Sequence, residues 1–266
     1  MTYHTLTPMS FISSGRHRDI EVRITPSESI SISADENCLP LSRSAADSVK
    51  PPPTKLTLIK EVDVSGRCTT VSTYQGHTYV GLNSGEISRI GPDGKVESFV
   101  KLNSHIYGMA INGGRLYTTS GYNPQVVSVH NLNTGKLFHS WNHSDNGLFS
   151  SSNLAVIGGD KLVVADRINK RLTVYTLAGQ IIRQIPCQKL TQFGNVSICA
   201  ADMDSVIVLD SSSNSVYRIS INSGQILWEL SHIERPKGVT CYNNQYVLVA
   251  SQGNQMKIQI LDINTG

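Results

Sequence analysis

The sequence predicts an all-β fold assembled from successive copies of one four-stranded sheet, and three observations carry that prediction. Turn glycines recur at nearly constant spacing, apolar residues recur at fixed offsets from them, and no stretch shows a helical period of useful length. The turns Gly91-Pro92-Asp93-Gly94, Leu132-Asn133-Thr134-Gly135, Thr176-Leu177-Ala178-Gly179, Ile221-Asn222-Ser223-Gly224 and Ile263-Asn264-Thr265-Gly266 end in glycines 41, 44, 45 and 42 residues apart. After each of the first four glycines, the second and sixth positions are apolar: Val96 and Val100, Leu137 and Trp141, Ile181 and Ile185, Ile226 and Leu230. Even spacing puts both residues of a pair on one face of an outer strand.

Roughly 20 residues before each glycine lies a second turn, at Gln75-Gly76, Gly113-Gly114, Gly158-Gly159, Asp202 to Asp204 and Asn243-Asn244. Residues of these types tolerate the positive φ of a hairpin turn. A short run apolar on both faces follows each: Tyr79 to Leu82, Leu116 to Thr119, Leu162 to Ala165, Val206 to Leu209 and Tyr246 to Val249. A repeat of 41 to 45 residues, with inner strands more apolar than outer ones, matches a β-propeller blade. Five repeats are visible, preceded by a leader, so the fold class is an all-β propeller of four-stranded blades over residues 55–266. The last repeat stops before its fourth strand. Lys55 to Val62, with Leu56, Leu58 and Val62, reads as an outer strand able to complete it, so a ring closed at five blades and a truncated form of a larger ring both stay open.

Residues 1–54 are a different kind of chain. Six of the ten prolines fall at or before Pro53, whereas twenty of the twenty-one glycines lie at or after Gly66. The Ser-rich segment ends in Pro51-Pro52-Pro53, which favours a stiff polyproline stretch, and the expectation is a disordered leader. Ile20, Val22 and Ile24 alternate with polar residues like an isolated strand.

Composition narrows function mainly by exclusion. Charged residues are 16% of the chain, against about 25% in soluble proteins, and the net charge is +3, too small to imply by itself a nucleic-acid or membrane ligand. The five cysteines include no C-x-x-C pair, which argues against a structural zinc site and a disulfide framework and for a cytoplasmic location. No apolar run approaches the roughly 20 residues of a membrane-spanning helix. G-x-S-x-G, P-loop and H-E-x-x-H motifs are absent. Inner strands supply mainly Cys, Ala, Val, Ile and Thr, not a ring of carboxylates that would hold calcium. The expectation is a binding module with no catalytic residue, no cofactor and no metal.

Blade three carries a family likeness. Val163-Val164-Ala165-Asp166, then Asn169-Lys170-Arg171 and Leu172-Thr173-Val174-Tyr175 before Gly179, resembles the NHL repeat. Blade four keeps Asp210 and Asn214, while blades one, two and five have Asn83, Ser120 and Ser251 in place of the Asp. The region 55–266 is similar to the C-terminal propeller of tripartite-motif (TRIM) proteins of the NHL subgroup, whose members carry RING, B-box and coiled-coil segments that this sequence lacks and usually have six blades, so the resemblance implies a six-bladed ring, here truncated. The resemblance implies recognition of a protein partner or ubiquitination substrate, without ligase activity in this chain.

Propellers commonly bind through the loops joining strand two to strand three and strand four to the next blade. The residues placed there as partner-binding are Arg67, Tyr107, Tyr122, Arg167, Lys170, Asn195, Arg235 and Lys237, with His105, Asn123, Phe193, Ser211, Asn214 and Asn254 beside them. Cations with aromatics suit an acidic protein segment, and equally the phosphates and bases of RNA. Protein is the leading reading and RNA binding in post-transcriptional regulation the alternative; a metal-dependent hydrolase is a third, and the chain is expected to be monomeric with no membrane partner. Asp166, Asn169 and Arg171 read as a brace within the blade. Trp141 and Trp228 read as packing between blades, and Cys199 and Cys241 as small apolar residues of inner strands.

Overall fold

The computed structural model describes residues 62–121, 125–142, 153–166, 169–190, 196–242, 245–252 and 256–262. The leader, the strand expected over Lys55 to Val62 save its last residue, and the turn at Asn243-Asn244 lie outside them. Blade one comprises β1 (Cys68–Tyr74), β2 (His77–Leu82), β3 (Glu86–Ile90) and β4 (Val96–Lys101). Blade two follows with β5 (Ile106–Asn112), β6 (Arg115–Ser120), β7 (Val126–Asn131) and β8 (Leu137–Asn142). Blade three holds β9 (Leu154–Ile157), β10 (Lys161–Asp166), β11 (Arg171–Thr176) and β12 (Ile181–Pro186). Blade four holds β13 (Val196–Ala200), β14 (Ser205–Asp210), β15 (Ser215–Ser220) and β16 (Ile226–Leu230), and blade five β17 (Pro236–Tyr242), β18 (Tyr246–Gln252) and β19 (Met256–Asp262). Each sheet is an antiparallel meander in chain order, and the molecule is a five-bladed β-propeller. The inner strands β1, β5, β9, β13 and β17 pack side by side in succession. The described residues contain no helix, and therefore none long and apolar enough to cross a membrane.

The hairpin turns fall where the sequence places them. Gln75 and Gly76, Gly113 and Gly114, and Gly158 and Gly159 all have positive φ, the backbone of tight hairpin turns, here of two residues in blades one and two and three in blade three. The second strands are the best buried: β14 is buried along its whole length, whereas β16 is exposed or half-buried throughout. The main apolar clusters lie between neighbouring blades. One joins Val174 and Ile185 of blade three to Val208 and Tyr217 of blade four.

The turn glycines and the sixth-position residues prove to be partners across blades. Gly179, at φ 91°, lies so close to Trp141 of the preceding blade that a Cβ would stand 2.6 Å from the indole. A Cβ on Gly224 would stand 3.0 Å from Ile185, and one on Gly135 would stand 2.8 Å from the Phe99 carbonyl and 3.4 Å from Val100. Each turn is therefore seated on the outer strand of the blade before it. Trp141 also contacts the Tyr175 ring, and Trp228 packs with the blade-five cluster around Val239, so both tryptophans do pack between blades.

One expectation needs correction. The second and sixth residues do not share a face, because each outer strand carries a one-residue bulge between them. Ile181 pairs with Tyr175 and Ile185 with Leu172, positions three apart on β11 and so on opposite faces. Ile181 is accordingly 56% exposed and Ile185 only 2%.

Replacing Gly179 by Ala imposes both a left-handed Ala and a clash with a ring held between blades, and should cost about 2–4 kcal/mol in chemical denaturation. Trimming the ring in Trp141→Val should remove part of that penalty, giving a coupling of about 1 kcal/mol or more in a double-mutant cycle. His130 offers a pH test. Burial pushes its imidazole below the usual range, while its Nδ1–H bond to the Gly135 carbonyl at 3.2 Å acts the other way. The unfolded chain thus binds this proton more readily, so the stability His130 allows is complete above the ordinary histidine pKa and is lost as pH falls through the depressed folded value. The melting temperature should drop between about pH 7.5 and 5.5, with a smaller drop in His130→Phe.

Candidate functional site

An antiparallel meander of four strands returns to its starting end after strands two and four. Every two-to-three loop and every four-to-next-blade connection therefore lies at one end of the propeller, and every hairpin between strands one and two lies at the other. Backbone hydrogen bonds tie that end together. The N–H groups of Asn83, Gly121 and Gln252 donate to the carbonyls of Arg67, His105 and Arg235, while those of Leu102, Cys187 and Ile233 donate to the carbonyls of Gly85, Lys170 and Asn214. Arg67, His105 and Arg235 thus occupy one equivalent position in blades one, two and five.

Two residues further on, the inner strands of the same three blades each carry a bulge, at Thr69, Tyr107 and Lys237. A bulge re-aims one side chain and lifts it out of the ladder. Sequence reasoning found Tyr107 and Lys237 but not their equivalence, and it passed over Thr69, whose Oγ1 donates to the Gly81 carbonyl at 2.9 Å. Gly108 follows the Tyr107 bulge, and a Cβ there would stand 2.9 Å from the Asn153 Cα, so this glycine permits the close approach of blade three.

The structure brings Arg67, Tyr107, Lys170, Arg235 and Lys237 to this one end. Arg67 and Arg235 are exposed, and Lys170 and Lys237 half-buried. Among the described residues none of these four cations has an ion pair or side-chain hydrogen bond, whereas Lys101, Arg171 and Lys189 on the same end are paired with Glu86, Asp166 and Glu229. Tyr122, Arg167 and Asn195, together with Asn123, Phe193 and Asn254, lie outside the described residues.

Asp166 is fully buried at the end of β10 and accepts from the Asn169 N–H at 3.1 Å, the Asn169 Nδ2 at 2.6 Å and the Arg171 Nε at 3.2 Å. It braces the loop that carries Lys170, as expected from its neighbours in sequence. Asp210 stands at the same place in β14, fully buried, and accepts from the Ser212 N–H at 2.9 Å. Lys189 reaches from the end of blade three to Glu229 on blade four. That bond holds the Lys189 ammonium above its ordinary range, and with Ser231 it holds the Glu229 carboxyl below its own.

Lys170 sits at φ 47° immediately before β11, where blade one has Gly85 and blade four Asn214, both also at positive φ. Arg235 and His232 share that strained backbone. Three non-glycine residues with long or bulky side chains in left-handed conformations on one loop face is an unusual concentration. A shallow hollow lined by His77, Asp93, Lys95 and Glu97 lies at the opposite end, beside the β1–β2 and β3–β4 turns. Among the described residues no three His, Cys, Asp or Glu side chains are grouped to hold a metal ion.

Comparison with known proteins identifies the propeller's lineage. The family described as outer membrane protein assembly factor BamB matches residues 44–266. The chain belongs to this family. Its likeness to the NHL repeat is thus a blade-level pattern within a chain whose family match is to a different kind of propeller. No curated protein matches the sequence. Among solved structures, selenomethionine-substituted virginiamycin B lyase from Staphylococcus aureus is 16% identical, with 73% of this chain and 69% of that chain covered and a TM-score of 0.53. A catalytically inactive form of that lyase with Quinupristin is also 16% identical, with 74% and 75% covered and a TM-score of 0.54. The computationally designed Ika8 protein is 15% identical, with 75% and 61% covered and a TM-score of 0.52. At such identities the likeness is one of fold alone.

Asp166→Ala should leave Arg171 and Asn169 without their acceptor and cost about 2–4 kcal/mol in urea denaturation. Lys170→Gly should instead stabilise by about 0.5–1 kcal/mol, because glycine adopts the left-handed backbone without strain.

Proposed function

We propose that this chain is a non-enzymatic binding propeller that takes an acidic segment of a protein partner on its loop face. One observation carries the reading: Arg67, Lys170, Arg235 and Lys237 stand at one end of the molecule with no carboxylate partner among the described residues. Charges left unneutralised at the same end as a half-buried tyrosine, three of them on strained or bulged backbone, are suited to a ligand that brings negative charge. A family described as an assembly factor for outer membrane protein supports protein over a small molecule as the ligand. The likeness of blade three to NHL repeats extends the same reading to substrate recognition of the TRIM-NHL kind. The four described cysteines are all free thiols, which suits the cytoplasm.

RNA is the second reading, favoured by Tyr107 at the same end as the cations, an aromatic ring on which a base could stack. Salt separates the two. Fluorescent Asp/Glu-rich peptides and a labelled RNA pool would be titrated at about 50 and about 200 mM salt. The protein reading expects peptide binding that survives the higher salt and falls at least about tenfold in Arg235→Glu/Lys237→Glu, with the melting temperature nearly unchanged. Retention of RNA with a steep salt dependence, and no retention of peptide, would overturn it in favour of RNA.

A further inference from the structure

Cys199 on β13 and Cys241 on β17 are one repeat apart, and their Sγ atoms lie 3.4 Å from one another in the buried seam between blades four and five. Both are free thiols. A second contact fixes the register of this seam. The Val239 N–H donates to Ser197 Oγ at 3.4 Å, and that pair, like the cysteine pair, is 42 residues apart. The two inner strands therefore run side by side in register, with the sulfurs facing one another two residues further along.

We propose that Cys199 and Cys241 are a redox modification site, closing under oxidation to a disulfide that staples blade five to blade four. An S–S bond is about 2.05 Å long, so the sulfurs must approach by somewhat over 1 Å, a shift that side-chain rotation can supply between strands already in register. The oxidant is a small disulfide. Cys241 keeps 6% exposure while Cys199 has none, so Cys241 is the entry thiol: its thiolate attacks one sulfur of the small disulfide and expels the other half as a thiol. The Cys199 thiolate then attacks the Cys241 sulfur of the mixed disulfide and expels the second half. Two protein thiols have lost two protons and two electrons, and the small disulfide has been reduced to two thiols. Burial pushes the Cys199 thiol well above its ordinary range, which makes this second step slow and keeps the pair reduced except under sustained oxidation. Blade five carries Arg235 and Lys237, so the staple would fix one segment of the proposed binding face against its neighbour.

The test incubates the full chain with oxidised 2-mercaptoethanol, quenches with acid, alkylates in denaturant and maps the peptides without reduction. The expected result is loss of two titratable thiols, a cross-linked Cys199–Cys241 peptide, and a melting temperature raised by about 5 °C or more, reversed by dithiothreitol. Cys241→Ser and, separately, Cys199→Ala should each abolish the cross-link and the shift. Full alkylation of both cysteines after prolonged oxidation, a dominant cross-link between other cysteines, or an unchanged shift in either variant would overturn the proposal.

Discussion

The contact on which the molecule depends is the seat of the turn glycines Gly135, Gly179 and Gly224 against the outer strand of the blade before each. A propeller blade has its own ladder of hydrogen bonds, but it has no core of its own; its apolar faces are satisfied only by neighbours. Where Gly179 meets Trp141 the approach leaves no room for a Cβ, and where Gly224 meets Ile185 a Cβ would force the isoleucine aside. Spacing from blade to blade is thereby set at the rim, far from the inner strands, and the wedge between sheets is held at a fixed opening. Apolar clusters that straddle two blades, such as Val174 and Ile185 with Val208 and Tyr217, can then close without voids. The same geometry explains why the repeat length varies while the fold does not. Loops can lengthen, provided the glycine and its partner residue keep their places.

Fixing the blades in this way brings residues far apart in the chain to one end of the molecule. Arg67 and Arg235 are 168 residues apart in sequence, yet their carbonyls accept equivalent hydrogen bonds from the ends of β2 and β18. Bulges at Tyr107 and Lys237 then disturb the inner ladders at the same level in blades two and five. Irregular backbone at this end suits binding residues, because the rigid strands position loops whose own conformation is free to vary.

Much of the fold was legible because it is written in backbone chemistry. Glycine at positive φ, paired turn residues and apolar runs of strand length are local requirements, and they survive divergence. The parity of the outer strands was not legible: a bulge adds one residue without any marker residue, so Ile181 and Ile185 looked like one face when they occupy two. The cross-blade partnership of Gly179 with Trp141 was likewise invisible, since both were recognised but nothing in sequence joins them. For the site, topology alone placed Arg67, Lys170, Arg235 and Lys237 at one end, whereas the strained φ of Lys170 and Arg235 had no signal, because nothing about lysine or arginine foretells it. The NHL-like set in blade three is instructive in another way. Asp166 solves a local problem, supplying an acceptor to the amides and the arginine of the next loop. Asp210 solves it again in blade four with Ser212. A device that any blade of this shape can use reports the blade, and only weakly the family.

The outer edges show how the same bulges serve solubility. Strands β4, β8, β12 and β16 end their sheets among the described residues, with unpaired backbone groups along one side, and they expose apolar pairs at Leu137 and Phe138, Ile181 and Ile182, and Ile226 and Leu227. A flat edge with that composition would template another chain. In β8, β12 and β16 the bulged residue is Phe138, Ile182 or Leu227, the second member of the exposed pair. An unpaired extra residue at that point breaks the regular spacing an incoming strand would need, and the added local twist turns the edge away. Arg115 covers Phe138, its guanidinium 4.4 Å from the ring centroid. In β4 and β12 the bulge also turns the sixth-position residue, Val100 or Ile185, onto the opposite, buried face. A single irregularity seats the blade against its neighbour and denies its edge to strangers.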